Sequence, residues 1–174
     1  MLKYLLCGTL LLVTDVVVCK PDYLFNQEVN GWFKLHAVPA TWQDAFFNCH
    51  YEGAVLASPI NAKYATALRS IMRVSDLDVP IFLGVNDVSN GAFMSVEGEP
   101  VEKVYNTWAQ GQPDNKGINL CGLIYPEGTL DDVQCNKELL KFICEKNPNT
   151  LRFQNVGEVS EASENSCCDE TCCK

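Results

Sequence analysis

With 174 residues, 47% of them hydrophobic, and a formal charge of −9, the chain has the apolar material for one ordinary core and the wrong sign for gripping phosphate backbones. Nucleic acid is therefore not an expected partner. Ten cysteines in so short a chain direct attention to the compartment in which it folds.

Residues 1–19 carry Lys3, an apolar run from Tyr4 to Val18 broken by Thr14 and Asp15, and Val17 and Cys19 where cleavage favours small or medium side chains. This layout predicts a signal peptide over 1–19. The run is shorter than the roughly 20 apolar residues that span a bilayer, and no second one follows, so the chain is expected to be secreted, extracellular and not inserted in a membrane. Removing Lys3 and Asp15 together leaves the mature charge at −9. Cys7 and Cys19 leave with the leader, and the eight remaining cysteines enter an oxidising compartment that favours disulfides.

Those eight fall into two groups. Cys49, Cys121, Cys135 and Cys144 lie within residues 20–146, where the hydrophobic pattern predicts one globular domain. Cys167, Cys168, Cys172 and Cys173 close a segment, 147–174, that is acidic, Cys-rich and poor in apolar side chains, hence expected to be flexible.

Within the domain, "TWQDAFFNCHYEG" predicts a helix: Thr41 as N-cap with Asp44 three residues on, Trp42, Ala45, Phe46 and Cys49 on one face, and Gly53 as the stop. "NAKYATALRSIMR" repeats the plan, with Asn61 as the cap and Ala65, Leu68 and Met72 as the inward stripe. After Pro80 the texture changes to "IFLGV", "LCGLIY", "GTLDDV" and "KFICE", short apolar runs bounded by Gly, Pro or Asn that read as strands of small antiparallel sheets. The class is α+β. Trp32, Trp42 and Trp108 read as core, and His36 and His50 as packing or surface residues, since neither has a Cys or Ser partner at catalytic spacing. Asp131 and Asp132 lack a second acidic cluster to work against, so an enzyme is not expected.

Between the first two strand patterns lies "GQPDNKGINLC", residues 111–121, dense in side-chain oxygens and nearly free of apolar ones. Buried polar groups cost free energy unless each is paired, so this is no core segment. It suits a loop that holds a hard cation or a hydroxyl-rich ligand.

"WQDAFFNC", "IFLGVND", "WAQGQPD", Cys121, "LDDVQC" and "FICE" stand in the order of the landmarks of the C-type lectin-like domain, which the chain resembles from about Gly31 to Glu145. Around "GEP", "GQPDN" and "LDDV" it is similar in particular to insect haemolymph lectins of the lipopolysaccharide-binding type. The resemblance implies disulfides Cys49–Cys144 and Cys121–Cys135, which would restrict the unfolded chain by roughly 4 to 5 and about 3 kcal/mol respectively. It implies Ca²⁺ as cofactor, held by Gln112, Asp114, Asn119, Asp131 and Asp132, with a cis peptide before Pro113. It also implies carbohydrate recognition through Gln112, Asp114, Asn119 and Asp131, with the Gln-Pro-Asp order going with galactose. All five ligands are hard oxygen donors, as calcium requires.

The chain departs from the family in carrying Asn119 where Glu is usual and Leu130-Asp131-Asp132 where Trp-Asn-Asp is usual. Its loop from Asp114 to Cys121 is one residue short, and Lys116 and Gly117 stand where galactose-type members place an aromatic. Asp131 and Asp132 also raise a geometric question, because consecutive side chains on a regular strand face opposite ways. The expected role is a secreted calcium-dependent lectin that recognises galactose-type or bacterial glycans, including lipopolysaccharide, in innate immunity. The alternative is a protein-binding module of the same fold, such as a venom or parasite product, without sugar binding. The tail cysteines Cys167, Cys168, Cys172 and Cys173 could link chains into a homo-oligomer and raise avidity, or pair within the tail.

Overall fold

The computed structural model describes residues 22–148 apart from 76, 88–90 and 115–118. The signal peptide expected over 1–19 and the tail cysteines lie outside these residues, as does nearly all of the acidic segment. In chain order the elements are β1 (Leu24–Asn26), β2 (Gly31–Ala40), α1 (Trp42–Tyr51), β3 (Val55–Leu56), α2 (Ala62–Val74), β4 (Ile81–Asp87), β5 (Phe93–Ser95), α3 (Val101–Val104), β6 (Leu120–Ile124), β7 (Leu130–Gln134) and β8 (Leu140–Lys146). None of the described helices is long and apolar enough to cross a membrane.

Both long helices start at the caps that the sequence offers. The Asp44 N–H donates to Thr41 Oγ1 at 3.2 Å and the Thr41 hydroxyl to Asp44 Oδ2 at 2.7 Å, while the Tyr64 N–H donates to Asn61 Oδ1 at 3.0 Å. Each cap satisfies an N–H that the first helical turn leaves without an acceptor. The strands form one sheet in the order β1-β2-β8-β4-β6-β7, with β3 on β8 and β5 on β4. All pairs are antiparallel except β4 with β8.

"IFLGV" reads as a continuous apolar run because β4 is buried on both faces. Ile81, Leu83 and Val85 join a core with Leu68 and Met72 of α2. Phe82 joins a second core with Ala45 and Cys49 of α1 and with Phe142 and Cys144 of β8. Gly84 in the same strand admits β3: a Cβ there would overlap the Leu56 carbonyl oxygen, and the Gly84 N–H donates to Ala57 O at 2.9 Å. Disulfides Cys49–Cys144 and Cys121–Cys135 tie α1 to β8 and β6 to the turn after β7.

Three features depart from the sequence reading. The long strand β2, with Gly31 at its start and Pro39 near its end, pairs with β8 through a register shift between His36 and Ala40. Trp32 is 43% exposed and packs on Phe25 in the β1–β2 hairpin, not in the core, because it alternates outward from buried Phe33. The chain between β4 and β6 is not loop alone, since β5 and α3 occupy its first half.

One buried acid stands out. Glu145 on β8 is 1% exposed, and its Oε1 accepts from the Tyr64 hydroxyl at 2.8 Å and from Asn147 Nδ2 at 3.1 Å. Burial pushes its carboxyl up to about 7, although both hydrogen bonds pull the other way.

Candidate functional site

The polar loop is fixed to the edge of β7 before it reaches its oxygen donors. Leu130 N–H donates to Thr107 O and Ala109 N–H to Leu130 O, each at 2.8 Å, while the Trp108 ring packs on Phe93 with centroids 5.1 Å apart. The chain then reverses through Gly111, whose φ of 86° lies in the left-handed region that a glycine adopts at no steric cost. The Gln112 N–H closes that turn on Ala109 O at 2.9 Å. The Gln112–Pro113 peptide is cis.

Beyond it, the Asp114 N–H reaches two acceptors at once, Gln112 Oε1 and Asp132 Oδ1, each at 2.9 Å. This forked bond joins the loop to β7. Asp132 in turn donates its backbone N–H to Asp131 Oδ1 at 2.7 Å, and Asp131 Oδ2 accepts from the Tyr125 hydroxyl at 2.7 Å. Gln112, Asp114, Asp131 and Asp132 thus form one hydrogen-bonded chain.

β7 pairs with β6 in unbroken register from Leu120–Gln134 to Ile124–Leu130, so Asp131 and Asp132 do project to opposite faces. Asp132 takes the inner side with Leu130 and is fully buried, whereas Asp131 is half-buried on the other. The Asp131 side chain folds back along its own backbone to meet the next N–H, which keeps it beside its neighbour.

Tyr125 belongs to this group although the sequence reading passes over it. Leu123 lies opposite Asp131, so Tyr125, two residues on and on the same face, is its diagonal neighbour across the hairpin. That register was the available signal. Donation to Asp131, followed by burial, raises the Tyr125 phenol to about 12, so it stays a donor at any physiological pH.

Asn119 is placed elsewhere. Its φ of 60° is left-handed, a conformation Asn tolerates, and its carbonyl accepts the Cys135 N–H at 2.9 Å. The residue lines a cleft beside α1, together with Trp42, Phe47 and Asn136. Cys135 is three residues from Asp132, about 10 Å along the strand at 3.3 to 3.4 Å per residue.

Gln112, Asp114, Asp131 and Asp132 fit a divalent metal by donor type: one amide oxygen and three carboxylates, with no thiolate or imidazole. The three carboxylates are joined in series by backbone hydrogen bonds, and their oxygens do not all lie within 4.8 Å of one another, so an ion held by all of them would draw them closer. The existing hydrogen bonds do not consume the donors, because each carboxylate offers about four lone-pair positions. Among the described residues, the group of three such donors whose ligand atoms do lie within 4.8 Å of one another is His36, Glu52 and Cys144. The Cys144 sulfur is committed to its disulfide, and Glu52 is engaged by Lys34 Nζ at 2.8 Å and the Tyr23 hydroxyl at 2.7 Å. That group is a structural network between β2, β8 and α1.

Comparison with known proteins agrees with this architecture. The family model for the lectin C-type domain matches residues 38–146. A hemolymph lipopolysaccharide-binding protein from Periplaneta americana is 32% identical over 127 residues, which cover 67% of this chain and 49% of that protein. A mannose-binding protein from Gallus gallus is 33% identical over 98 residues, covering 56% of this chain and 37% of that protein. The chain therefore spans about half or less of the length of these relatives. Among solved structures, the human scavenger receptor C-type lectin carbohydrate-recognition domain superposes with a TM-score of 0.64 at 21% identity, covering 74% of this chain and 98% of that one.

Proposed function

The chain belongs to the C-type lectin domain family, and from that membership we propose that it is a secreted, calcium-dependent lectin, not an enzyme, that recognises galactose-type or bacterial surface glycans in innate defence. The observation that supports this reading best is the forked bond from the Asp114 N–H to Gln112 Oε1 and Asp132 Oδ1, which brings one loop oxygen and one strand oxygen to the same N–H. Gln112, Asp114, Asp131 and Asp132 would hold the ion. Calcium bound there would offer open coordination positions to two neighbouring hydroxyls.

The chain's own part is orientation. Gln112 carries both an amide donor and a carbonyl acceptor, while the carboxylate of Asp114 only accepts. A hydroxyl that must receive a proton is therefore directed to Gln112 and one that must give its proton to Asp114. This asymmetry, in the order Gln-Pro-Asp, is the basis for proposing galactose over mannose. The lipopolysaccharide-binding name of the cockroach relative is the basis for proposing microbial glycans.

A glycan array probed with the full chain tests the reading. Binding should vanish in chelator, and galactosides should outcompete mannosides. The reverse order of competition sinks the sugar assignment.

Asn119, set apart beside α1, favours one alternative, a protein-binding module that retains fold and disulfides with a four-donor remnant of the site. A melting temperature indifferent to added calcium would select it.

A further inference from the structure

The cleft that takes Asn119 is bounded by the first turns of α1, the end of β4, the start of β6 and the turn after β7, and encloses about 410 Å³. That is within the range of roughly 300 to 1,000 Å³ typical of small-molecule sites. Its walls are tied together in advance. The Trp42 N–H donates to Cys135 O at 3.2 Å, the Cys135 N–H to Asn119 O at 2.9 Å, and the Cys121–Cys135 disulfide closes the base. The Trp42 indole is locked by donation of Nε1 to Leu83 O at 2.6 Å. Little order remains to be imposed when a ligand enters.

Three of the lining residues are aromatic. Trp42 and Phe46 stack with centroids 5.5 Å apart and 14° between planes, and Phe47 meets Phe46 edge-on at 5.6 Å. Four amide side chains also belong to its lining: Gln43, Asn86, Asn119 and Asn136. Among the described lining residues none is cationic, and the single acid, Asp87, already accepts the Gly91 N–H at 2.9 Å.

Each feature removes a class of ligand. Without a cationic side chain, and with the first-turn N–H groups of Trp42 and Asp44 already donated to Cys135 O and Thr41 Oγ1, the cleft has little for a phosphate or sulfate, and one carboxylate is too few for a metal. A purely apolar ligand would bury four amides without partners. What remains is a neutral molecule with many hydroxyls and an apolar face. Amides donate and accept, as hydroxyls do, and aromatic rings cover the C–H face of a sugar ring.

We propose that this α1 cleft is a second carbohydrate site, specific for a neutral saccharide of one or two rings and independent of metal. It rests on residues separate from Gln112, Asp114, Asp131 and Asp132, so it stands whether or not those bind calcium.

The test is a titration of the ¹⁵N-labelled full chain in excess EDTA with methyl β-galactoside, methyl α-mannoside and N,N′-diacetylchitobiose, read by amide shifts. At least one should move the amides of Gln43, Phe47, Asn86 and Asn136 in the absence of metal. The exposed-helix variants Gln43→Ala and Phe47→Ala, which retain helix-forming side chains, should each weaken that binding by roughly 3- to 10-fold, as expected for loss of one hydrogen bond or one aromatic contact. Asp114→Asn should leave it unchanged. Absence of any shift at these amides, or shifts that neither alanine variant weakens, overturns the proposal. A metal-free response without any calcium-dependent one would support it while rejecting the calcium reading.

Discussion

The backbone N–H of Asp114 lies 2.9 Å from Oδ1 of Asp132, a residue 18 positions away on a different element. A loop with few apolar side chains is thereby positioned by a carboxylate, and the same carboxylate is a candidate metal ligand. Shape and charge of the site depend on one side chain.

Asp132→Ala should therefore do two things at once. It leaves the Asp114 N–H with one acceptor fewer, at a cost of about 1 to 3 kcal/mol. It should also abolish any rise in melting temperature on adding calcium. Urea unfolding and calorimetric calcium titration of the variant measure the two effects separately.

Glu145 gives the domain a pH dependence of a definite sign. Its carboxyl is raised from an ordinary 4.5 to about 7, so folding takes up a proton. The contribution is fully present below pH 4.5 and is lost as pH rises through 7, a change on the order of 3 kcal/mol. Glu145→Gln, which retains the acceptor for Tyr64 and Asn147, should flatten this slope and be the more stable form at pH 8. Denaturant curves across that window provide the check.

Gly84→Ala should be among the most damaging substitutions in the chain. The added methyl meets the Leu56 carbonyl and Ser58 Oγ, backbone and a buried hydroxyl that cannot yield without separating β3 from β4. A loss of at least about 2 kcal/mol is expected, seen as lower soluble yield and an early thermal transition.

Replacing Cys121 and Cys135 together by alanine should cost about 3 kcal/mol, the value for a closed loop of some 15 residues. Because the bridge closes the base of the α1 cleft, the amides of Asn119 and Asn136 should also exchange faster with deuterium.

The fold was legible where one residue type had one job. Thr41 and Asn61 cap because their oxygens meet orphan N–H groups, and β4 announces itself because both of its faces are buried. β2 was not legible, since its partners on β8 lie 100 to 114 positions away and its pattern mixes buried Phe33 with exposed Trp32 and Pro39. At the site, Gln112, Asp114, Asp131 and Asp132 were named through the family resemblance, and hydrogen bonds link them in series. The resemblance does not foretell the backbone of Asn119, which is left-handed and held by the Cys135 N–H. The amide-lined cleft was invisible for a related reason: its residues come from four separate stretches, and nothing in their spacing along the chain says that these stretches meet.

The Cys49–Cys144 bridge spans 95 positions and so encloses most of the domain within a single covalent ring. A protease that cuts once in an exposed turn inside that ring opens it without freeing a fragment. The two pieces stay covalently joined until a reductant opens the bridge.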